Sequence, residues 1–350
     1  MSLWGTADYG LEIAFIVALE GACSRALFAW AIARASSFWT ALSLLVVAQG
    51  LRAMTVFALP LSVGHDLIGT PELARPAAFG GGALLTAAVA ALALSIFVPR
   101  WRRVGALALA ITLVGSAVHE VARPAAAAPV QLDAAVVQGG VPNWVYAQSW
   151  VDPKAAAFIE NRYLAAARAA AEGGARRIIL PESAVRQPYG EANSMTEAYR
   201  ALHRRGVDLI AGVNRRSEGL MTNSALIWPA ADNAPHFQAK RAIVPIVERD
   251  FSPGISTGLL AVEEGVLLLC IESVYPRFLA DQPQARWGLV LTNDAGVGWT
   301  TARRAFERET RLRAVEYGLS IVRAGQDGAT YVVAPTGAVI QEVAPYGRAT

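Results

Sequence analysis

Long apolar runs fill the first third of the chain, and only short apolar runs follow them. The long runs are roughly Leu11–Ala33, Phe38–Pro60, Ala78–Pro99 and Val104–Ala122. Each is close to the ~20 residues that a helix needs to cross a hydrocarbon core. Four such runs are too many and too long for one cleavable signal peptide. The pattern therefore predicts an all-α transmembrane bundle of about four helices over residues 1–123.

A Pro/Ala linker at 124–130 separates this region from residues 131–350, where the pattern changes. Helices are predicted at Ala155–Ala171 and Arg303–Tyr317. The strand candidates are Ala134–Gln138, Arg177–Leu180, Leu209–Gly212, Ala225–Trp228, Leu267–Ile271, Leu289–Thr292, Ala329–Val333 and Ala338–Gln341. Because strands and helices alternate, the second region is predicted to be an α/β domain, with α+β as the alternative.

Charged residues make up only 17% of the chain, against about 25% in a soluble domain. The tightest basic cluster, Arg100, Arg102 and Arg103, lies between the third and fourth apolar runs. Basic loops stay on the cytoplasmic side, so everything after Arg123 is expected on the opposite side of the membrane. The net charge of +3 gives no case for a nucleic-acid partner.

Cys270 is the first candidate for chemistry, because it lies at the end of an apolar, strand-like run. Nucleophiles of α/β folds occupy such positions, but a buried core cysteine is an equal alternative for this residue alone. None of the four histidines has a spacing that pairs it with Cys270. Glu182, which ends the strand-like run RIILPE, could instead take a thiol proton. Lys240, one of two lysines beside 29 arginines, offers a compact positive charge to an oxyanion.

Short sequence blocks extend these three residues into a longer pattern. The blocks are VQGGVP at 137–142, ILPESA at 179–184, KRAIVPIVE at 240–248, LLLCIES at 267–273, LTNDAG at 291–296, RLRAVEYG at 311–318 and VRAGQDG at 322–328. In this order the sequence resembles the nitrilase (carbon–nitrogen hydrolase) superfamily and, within it, the apolipoprotein N-acyltransferase branch. The resemblance implies an αββα sandwich for residues 131–350.

The resemblance also implies residue roles. Glu182 matches the family's general base, Lys240 its oxyanion-stabilising lysine and Cys270 its nucleophile. Glu248 matches a second glutamate on the lysine-bearing loop, and Glu272 matches a further active-site glutamate. Neither a cofactor nor a metal ion is expected.

The reaction that the resemblance implies is a ping-pong acyl transfer. The cysteine takes an acyl chain from a phospholipid donor as a thioester, and the amine of a lipoprotein, or another amine, accepts it. Such partners fit a multi-pass protein of the bacterial inner membrane whose catalytic region faces the periplasm.

Several features depart from the acyltransferase pattern. That branch has more membrane helices before its catalytic region and one after it, so the carboxy terminus here is expected to be truncated relative to the family. Gly296–Gly298 stands where that branch has bulky aromatics, and the spacing from Lys240 to Cys270 is shorter. A TraB-type conjugal-transfer protein of the same branch and a membrane-tethered amidase therefore remain alternatives. The intact Glu182, Lys240 and Cys270 set argues against a catalytically silent scaffold.

Two further groups have ordinary structural interpretations. Asn293 and Asp294 are typical of a strand-end turn in which the side chains bond to the backbone. Without the family pattern, Arg311, Arg313 and Glu316 would be expected to form only a solvated helix face with salt bridges.

Overall fold

The described part of the chain covers most of both regions. The computed structural model describes residues 26, 29–30, 32–54, 67–122, 133–190, 194–217, 219–244, 248–255, 259–260, 264–294 and 301–343. Most of the apolar run Leu11–Ala33 and the whole linker at 124–130 lie outside these residues. The first membrane segment and the linker therefore stay predictions.

Helices dominate the described part of the front region. They are α1 (Phe38–Met54), α2 (Pro71–Ala74), α3 (Pro76–Phe97), a 3₁₀ turn (Pro99–Trp101) and α4 (Arg102–Ala122). The backbone of α3 leaves helical geometry at Gly80 and Gly81, which produces a kink. Phe38 and Leu45 of α1 pack against Leu94 of α3 in an apolar cluster.

Helices α3 and α4 approach each other through small side chains. A Cβ atom added to Gly105 of α4 would lie 1.8 Å from Ser95 Oγ and 2.9 Å from the Ala91 carbonyl oxygen of α3. Small residues allow this close approach between helices in lipid. The two helices therefore form a tight hairpin around Gly105.

Two described helices are long and apolar enough to cross a membrane by length and composition, Pro76–Phe97 and Pro99–Val118. The apolar helix Phe38–Ala48 is shorter. The described residues thus contain two candidate spans, and the expected bundle of about four transmembrane helices is not confirmed.

Two β-sheets form the core of the second region. The first sheet has the order β1-β2-β3-β4-β5. Its strands are β1 (Ala135–Val136), β2 (Arg177–Tyr189), β3 (Asp208–Ser217), β4 (Leu220–Trp228) and β5 (His236–Ala239). The first three run parallel, and β4 and β5 add antiparallel. The helices on its outer face are α5 (Asn143–Gln148), α6 (Pro153–Glu172) and α7 (Ser194–His203).

The second sheet has the order β11-β10-β9-β8-β7-β6. Its strands are β6 (Leu259–Leu260), β7 (Gly265–Leu269), β8 (Trp287–Thr292), β9 (Ser320–Gly325), β10 (Thr330–Val333) and β11 (Val339–Val343). Strands β7, β8 and β9 run parallel, and the other pairings are antiparallel. The helices α8 (Arg277–Ala280) and α9 (Thr301–Tyr317) pack on its outer face.

The two sheets face each other across a shared apolar core. Ile179 and Ile210 of the first sheet pack with Leu267, Leu289 and Val322 of the second. Separate apolar clusters hold the helices on the two outer faces. The described residues therefore form helix, sheet, sheet and helix layers, as the αββα expectation requires.

Helix α9 also contacts the front region. Leu312 and Val315 of α9 pack with Ile68 and Leu85. The Arg311 Nη2 atom donates to the carbonyl oxygen of Ile68 at 2.8 Å. The sandwich and the front helices therefore share a packed junction.

This junction overturns the expected solvated face of α9. The Arg313 and Glu316 side chains are buried and form an ion pair of 3.0 Å. Glu316 also accepts a hydrogen bond from the backbone N–H of Gly82 in α3. The expectation is wrong for Arg311, Arg313 and Glu316, because the front helices and the β10–β11 turn cover that face.

Candidate active site

Glu182 lies where β2 leaves its regular pairing with β3. Between Leu180 and Val185, β2 advances five residues while β3 advances only two, from Ala211 to Val213. The residue after Glu182, Ser183, has a φ of 61°. A Cβ atom on Gly212 of β3 would lie 2.4 Å from Glu182 Cα. The extra residues push the carboxylate out of the strand, and the glycine leaves room for that bulge.

One ammonium group joins two carboxylates. The Lys240 Nζ atom donates to Glu182 Oε1 at 3.0 Å and to Glu248 Oε1 at 2.8 Å. The Lys240 side chain is only 1% exposed. Buried charges persist in proteins when they are paired and hydrogen-bonded. Glu182, Lys240 and Glu248 therefore form one charged unit, called the carboxylate–lysine unit below.

Asn223 holds the carboxylate–lysine unit in place. Its Nδ2 atom donates to Glu182 Oε1 at 2.7 Å and to Glu248 Oε1 at 2.8 Å. The backbone carbonyl oxygen of Asn223 accepts the Lys240 backbone N–H at 2.8 Å. The second Glu248 oxygen accepts the Val244 N–H at 2.8 Å. Sequence reasoning missed Asn223, because it lies in the polar stretch 222–224 that precedes the apolar run Ala225–Trp228.

Cys270 follows directly after β7. It has a φ of 50° and begins a 3₁₀ turn that runs to Val274. Positive φ is strained for a side chain with a Cβ, and such strain clusters at functional sites. The Ser273 hydroxyl donates to the Cys270 carbonyl oxygen at 2.9 Å, which closes the turn. The predicted strand Leu267–Ile271 is therefore two residues too long at its end.

The Cys270 thiol and the carboxylate–lysine unit interact electrostatically. Burial, together with the charge of Glu182, raises the pKa of Cys270 well above its usual range, although Lys240 opposes this effect. Burial and the charge of Glu248 likewise raise the pKa of Glu182, against the opposing effect of Lys240. At neutral pH the thiol therefore keeps its proton and needs a base.

The pKa of Lys240 is raised as well, and for a lysine a raised pKa favours the charged form. Burial alone would lower its pKa, but coupling to the acidic groups around it, the Cys270 thiol and the Glu182 and Glu248 carboxylates, outweighs burial and raises it well above the usual value. The lysine is therefore a permanent ammonium ion at neutral pH. Such a fixed positive charge next to a thiol stabilises negative charge that develops there.

Glu272 lies outside the carboxylate–lysine unit and braces the turn at Cys270. Its Oε2 atom accepts the Leu269 N–H at 3.0 Å and Arg241 Nη2 at 3.0 Å. Its Oε1 atom accepts the N–H groups of Arg241 at 2.5 Å and Ala242 at 3.3 Å. With both oxygens engaged, Glu272 ties the Cys270 turn to the segment that follows Lys240.

Asn293 and Asp294 do more than end a strand. The Asn293 N–H donates to Glu182 Oε2 at 2.8 Å, so the second carboxylate oxygen is also held. Asp294 is buried and pairs with Arg323 Nη2 at 2.7 Å, while it accepts the Thr292 hydroxyl at 2.9 Å. The end of β8 therefore forms one wall of the site. Interpreting Asn293 and Asp294 only as a strand-end turn therefore leaves out their contacts with Glu182 and Arg323.

The described residues contain no group of three or more His, Cys, Asp and Glu side chains that could hold a metal ion. The described site brings together a thiol, two carboxylates and an ammonium group.

Comparison with known proteins gives relatives of one kind. The apolipoprotein N-acyltransferase of Methylococcus capsulatus is 28% identical over 319 residues, which is 82% of this chain and 62% of the relative. The apolipoprotein N-acyltransferase of Rhodopseudomonas palustris is 34% identical over 77 residues, 22% of this chain and 14% of the relative. The chain thus spans about three fifths of the M. capsulatus protein. No protein-family model matches the chain.

Solved structures of low sequence identity also match. A mutant of the Nesterenkonia AN1 amidase from the nitrilase superfamily has a TM-score of 0.48 and 21% identity, covering 59% of this chain and 84% of that chain. The carbon–nitrogen hydrolase superfamily protein XC1258 of Xanthomonas campestris has a TM-score of 0.48 and 21% identity, covering 60% of this chain and 85% of that chain.

Proposed function

Because this chain is related to the apolipoprotein N-acyltransferase-like branch of the nitrilase superfamily, we propose that it is a membrane-anchored N-acyltransferase. It takes an acyl chain from a phospholipid onto Cys270 and passes it to the amine of a lipoprotein or of another acceptor. The observation that carries this proposal is the buried carboxylate–lysine unit beside the Cys270 thiol.

In the first half-reaction, Glu182 is the general base. It takes the thiol proton while the Cys270 sulfur bonds to the ester carbonyl carbon, and the carbonyl electron pair moves onto oxygen. An ammonium group has three N–H donors. The Lys240 ammonium uses two of its N–H donors on the Glu182 and Glu248 carboxylates among the described residues. Its third N–H donor is available for the oxyanion. Collapse breaks the ester C–O bond, and the lysophospholipid oxygen leaves with the proton from Glu182.

In the second half-reaction, the same groups work in the opposite order. The acceptor amine attacks the thioester carbonyl and loses a proton to Glu182, while Lys240 again stabilises the oxyanion. The C–S bond then breaks, the amide forms, and the Cys270 sulfur regains a proton. Glu248 and Glu272 touch neither the thiol nor each other in the contacts described above. Both are proposed to position the reacting groups.

The front helices supply the membrane anchor in this proposal. One face of α4 exposes a stripe of large apolar side chains at helical spacing. They are Leu107, Ile111, Val114, Val118 and Val121. A continuous apolar stripe that is largely exposed among the described residues suits contact with lipid tails. We place this anchor in the bacterial inner membrane as part of the proposal.

The proposed orientation puts the sandwich in the periplasm, on the basis of the Arg100, Arg102 and Arg103 cluster. A reporter enzyme that works only in the periplasm, fused after Arg123, should be active. A reporter that works only in the cytoplasm, fused at the same place, should be silent. The reverse pattern would contradict the orientation and the lipoprotein substrate together.

Other functions receive less support. The reported relatives are all apolipoprotein N-acyltransferases, so a conjugal-transfer role is not favoured. A membrane-tethered amidase would use the same groups, with water in place of the acceptor amine. The two enzymes differ in the fate of the acyl group on Cys270.

Mass spectrometry of the intact purified protein tests the proposed chemistry. After incubation with a phospholipid of defined acyl chains, the protein should gain the mass of one acyl group on Cys270. The Cys270→Ala and Glu182→Gln variants should gain none, while Lys154→Arg, a change at an exposed lysine, should behave like the unmodified chain. Absence of an adduct on the unmodified protein would reject the proposal.

A further inference from the structure

A buried arginine lies at the rim of the site and takes no part in the chemistry described above. Arg186 is on β2, four residues after Glu182. Its guanidinium carbon lies 4.2 Å from the centre of the Trp150 ring and 5.7 Å from that of Tyr146. Trp150 in turn contacts the Phe251 ring edge-on, with centroids 5.8 Å apart. These four side chains are called the rim cluster below.

The rim cluster is tied to the carboxylate–lysine unit from both sides. The Phe251 N–H donates to the Glu248 carbonyl oxygen at 2.9 Å. On β3, Asn214 donates to the Arg186 backbone carbonyl oxygen at 2.8 Å. Asn214 pairs directly across the sheet with Asn223 of β4, and Asn223 donates to Glu182. The charge of Glu182 also acts on the Arg186 guanidinium. The rim cluster therefore borders the reacting groups.

The Arg186 side chain is largely enclosed, at 9% exposed, but its terminal nitrogens reach solvent and lack a full set of protein partners. Its Nε atom donates to Ser149 Oγ at 2.9 Å. Glu160 lies nearby, but it accepts the backbone N–H groups of Arg186 and Gln187 and not the guanidinium. Among the described residues no carboxylate forms an ion pair with Arg186, and its two terminal nitrogens have no hydrogen-bond acceptor. Burial accordingly lowers the pKa of Arg186 to about 10.

Other buried arginines of this chain are neutralised. Arg313 pairs with Glu309 and Glu316, and Arg323 pairs with Asp294. Burying a charge without a carboxylate destabilises the fold, so stability alone does not explain Arg186. Its free donors suit an anion that arrives from outside the chain.

We propose that Arg186 is a specificity-determining residue that binds the phosphodiester group of the acyl donor. The two terminal nitrogens of a guanidinium form parallel hydrogen bonds to two phosphate oxygens, and the stacked Trp150 ring fixes the plane of that fork. The apolar surfaces of Trp150 and Phe251 suit the glycerol and acyl portions of a lipid. This inference rests on the proposed acyl transfer.

Two donors with the same acyl chain separate anion binding from catalysis. One is a phospholipid, and the other is an uncharged nitrophenyl ester. We expect Arg186→Gln to slow acylation of Cys270 by the phospholipid about 10- to 100-fold, the range for losing charged hydrogen bonds. Acylation by the ester should fall less than about threefold. Arg215→Gln is the matched control, because Arg215 also stacks on an aromatic ring, that of Phe237.

The fold of the variant is checked in the same samples. Removing an unpaired buried charge should leave the melting temperature of Arg186→Gln equal or higher. Arg186→Lys, which keeps the charge but loses the fork, should show an intermediate phospholipid rate. Equal loss of rate with both donors, or no loss with the phospholipid, would overturn the assignment.

A binding measurement keeps this inference separate from the proposed reaction. Glycerophosphocholine, a soluble phosphodiester, should quench the tryptophan fluorescence, through Trp150, of the unmodified chain and of Arg215→Gln, but not of Arg186→Gln. If no donor acylates the unmodified chain, the proposed function fails. The titration then tests by itself whether Arg186 binds a phosphodiester. Inorganic phosphate binding as well as the phosphodiester would assign the site to free phosphate and overturn the donor role.

Discussion

At the scale of single residues, the charge balance of the site sets how it can react. Two carboxylates share one ammonium, and Asn223 fixes both carboxylates. With both glutamates ionised, the carboxylate–lysine unit carries one net negative charge, which discourages a second negative charge on the Cys270 thiol. In the proposed mechanism the thiol therefore loses its proton to Glu182 during attack, and not beforehand.

The pH dependence of acylation follows from this arrangement. Glu182 acts only when ionised, and its pKa is raised by burial and by Glu248. The single-turnover rate of Cys270 acylation should therefore rise with pH through a value above the usual carboxyl range. Glu248→Gln removes a neighbouring negative charge, lowers the pKa of Glu182, and should move the rise to lower pH. If the acylation rate of Glu248→Gln rises at the same pH as that of the unmodified chain, the two carboxylates are not coupled.

The shape of the lysine matters as well as its charge. Lys240 is enclosed between two carboxylates, so the larger and planar guanidinium of Lys240→Arg cannot reproduce its contacts. We expect Cys270 acylation to fall about 100- to 1000-fold, the usual effect of losing an oxyanion donor. Lys154→Arg is the control, since this exposed lysine starts α6. Near-normal single-turnover acylation in Lys240→Arg would refute the oxyanion role.

At the scale of elements, the irregular part of β2 decides where Glu182 lies. Gly212→Ala should push the bulge outward, because the new methyl group would meet backbone atoms of Pro181, Glu182 and Ser183 within 2.7 Å. A displacement of about 1 Å can reduce a rate about 100-fold. Acylation rates should show this loss in Gly212→Ala but not in Gly173→Ala, where an added Cβ meets nothing closer than 3.4 Å. Equal rates would mean that the bulge does not depend on this glycine.

The hairpin of α3 and α4 gives a second prediction at this scale. Gly105→Leu should separate the helices, because even a Cβ atom there overlaps Ser95. We expect destabilisation of about 1–3 kcal/mol or more, seen as a lower melting temperature in detergent. Gly115→Leu on the same helix meets no atom within 4 Å of the new Cβ and should be tolerated. Similar melting temperatures for the two variants would contradict the close packing at Gly105.

The sequence was informative about elements wherever apolar runs were short and bounded. The predicted helix Ala155–Ala171 lies within α6, and RIIL marks the start of β2. Periodicity could not show that β2 continues to Tyr189, because Pro181 and the polar residues after it break the pattern. Nor could it show the positive φ of Cys270, which depends on the Ser273 and Glu272 contacts around the turn.

At the scale of the whole molecule, α9 connects the front helices to the site. Glu316 of α9 contacts α3 at Gly82, and Thr310 of the same helix donates to Ser273, which closes the Cys270 turn. No sequence pattern indicated this link, because a helix rich in arginine and glutamate normally faces water. Motifs singled out Glu182, Lys240 and Cys270 as candidates, whereas the burial of α9 depends on packing between distant segments.

The most direct test of the central claim is the fate of the acyl group on Cys270. The protein is first acylated by a phospholipid and freed of excess donor. A peptide with an amino-terminal S-diacylglyceryl cysteine is then added, and both molecules are followed by mass spectrometry. The acyl mass should leave Cys270 and appear on the peptide amine, and it should stay on Cys270 when that amine is acetylated beforehand. Release of free fatty acid at the same rate with either peptide would show a hydrolase and contradict acyl transfer.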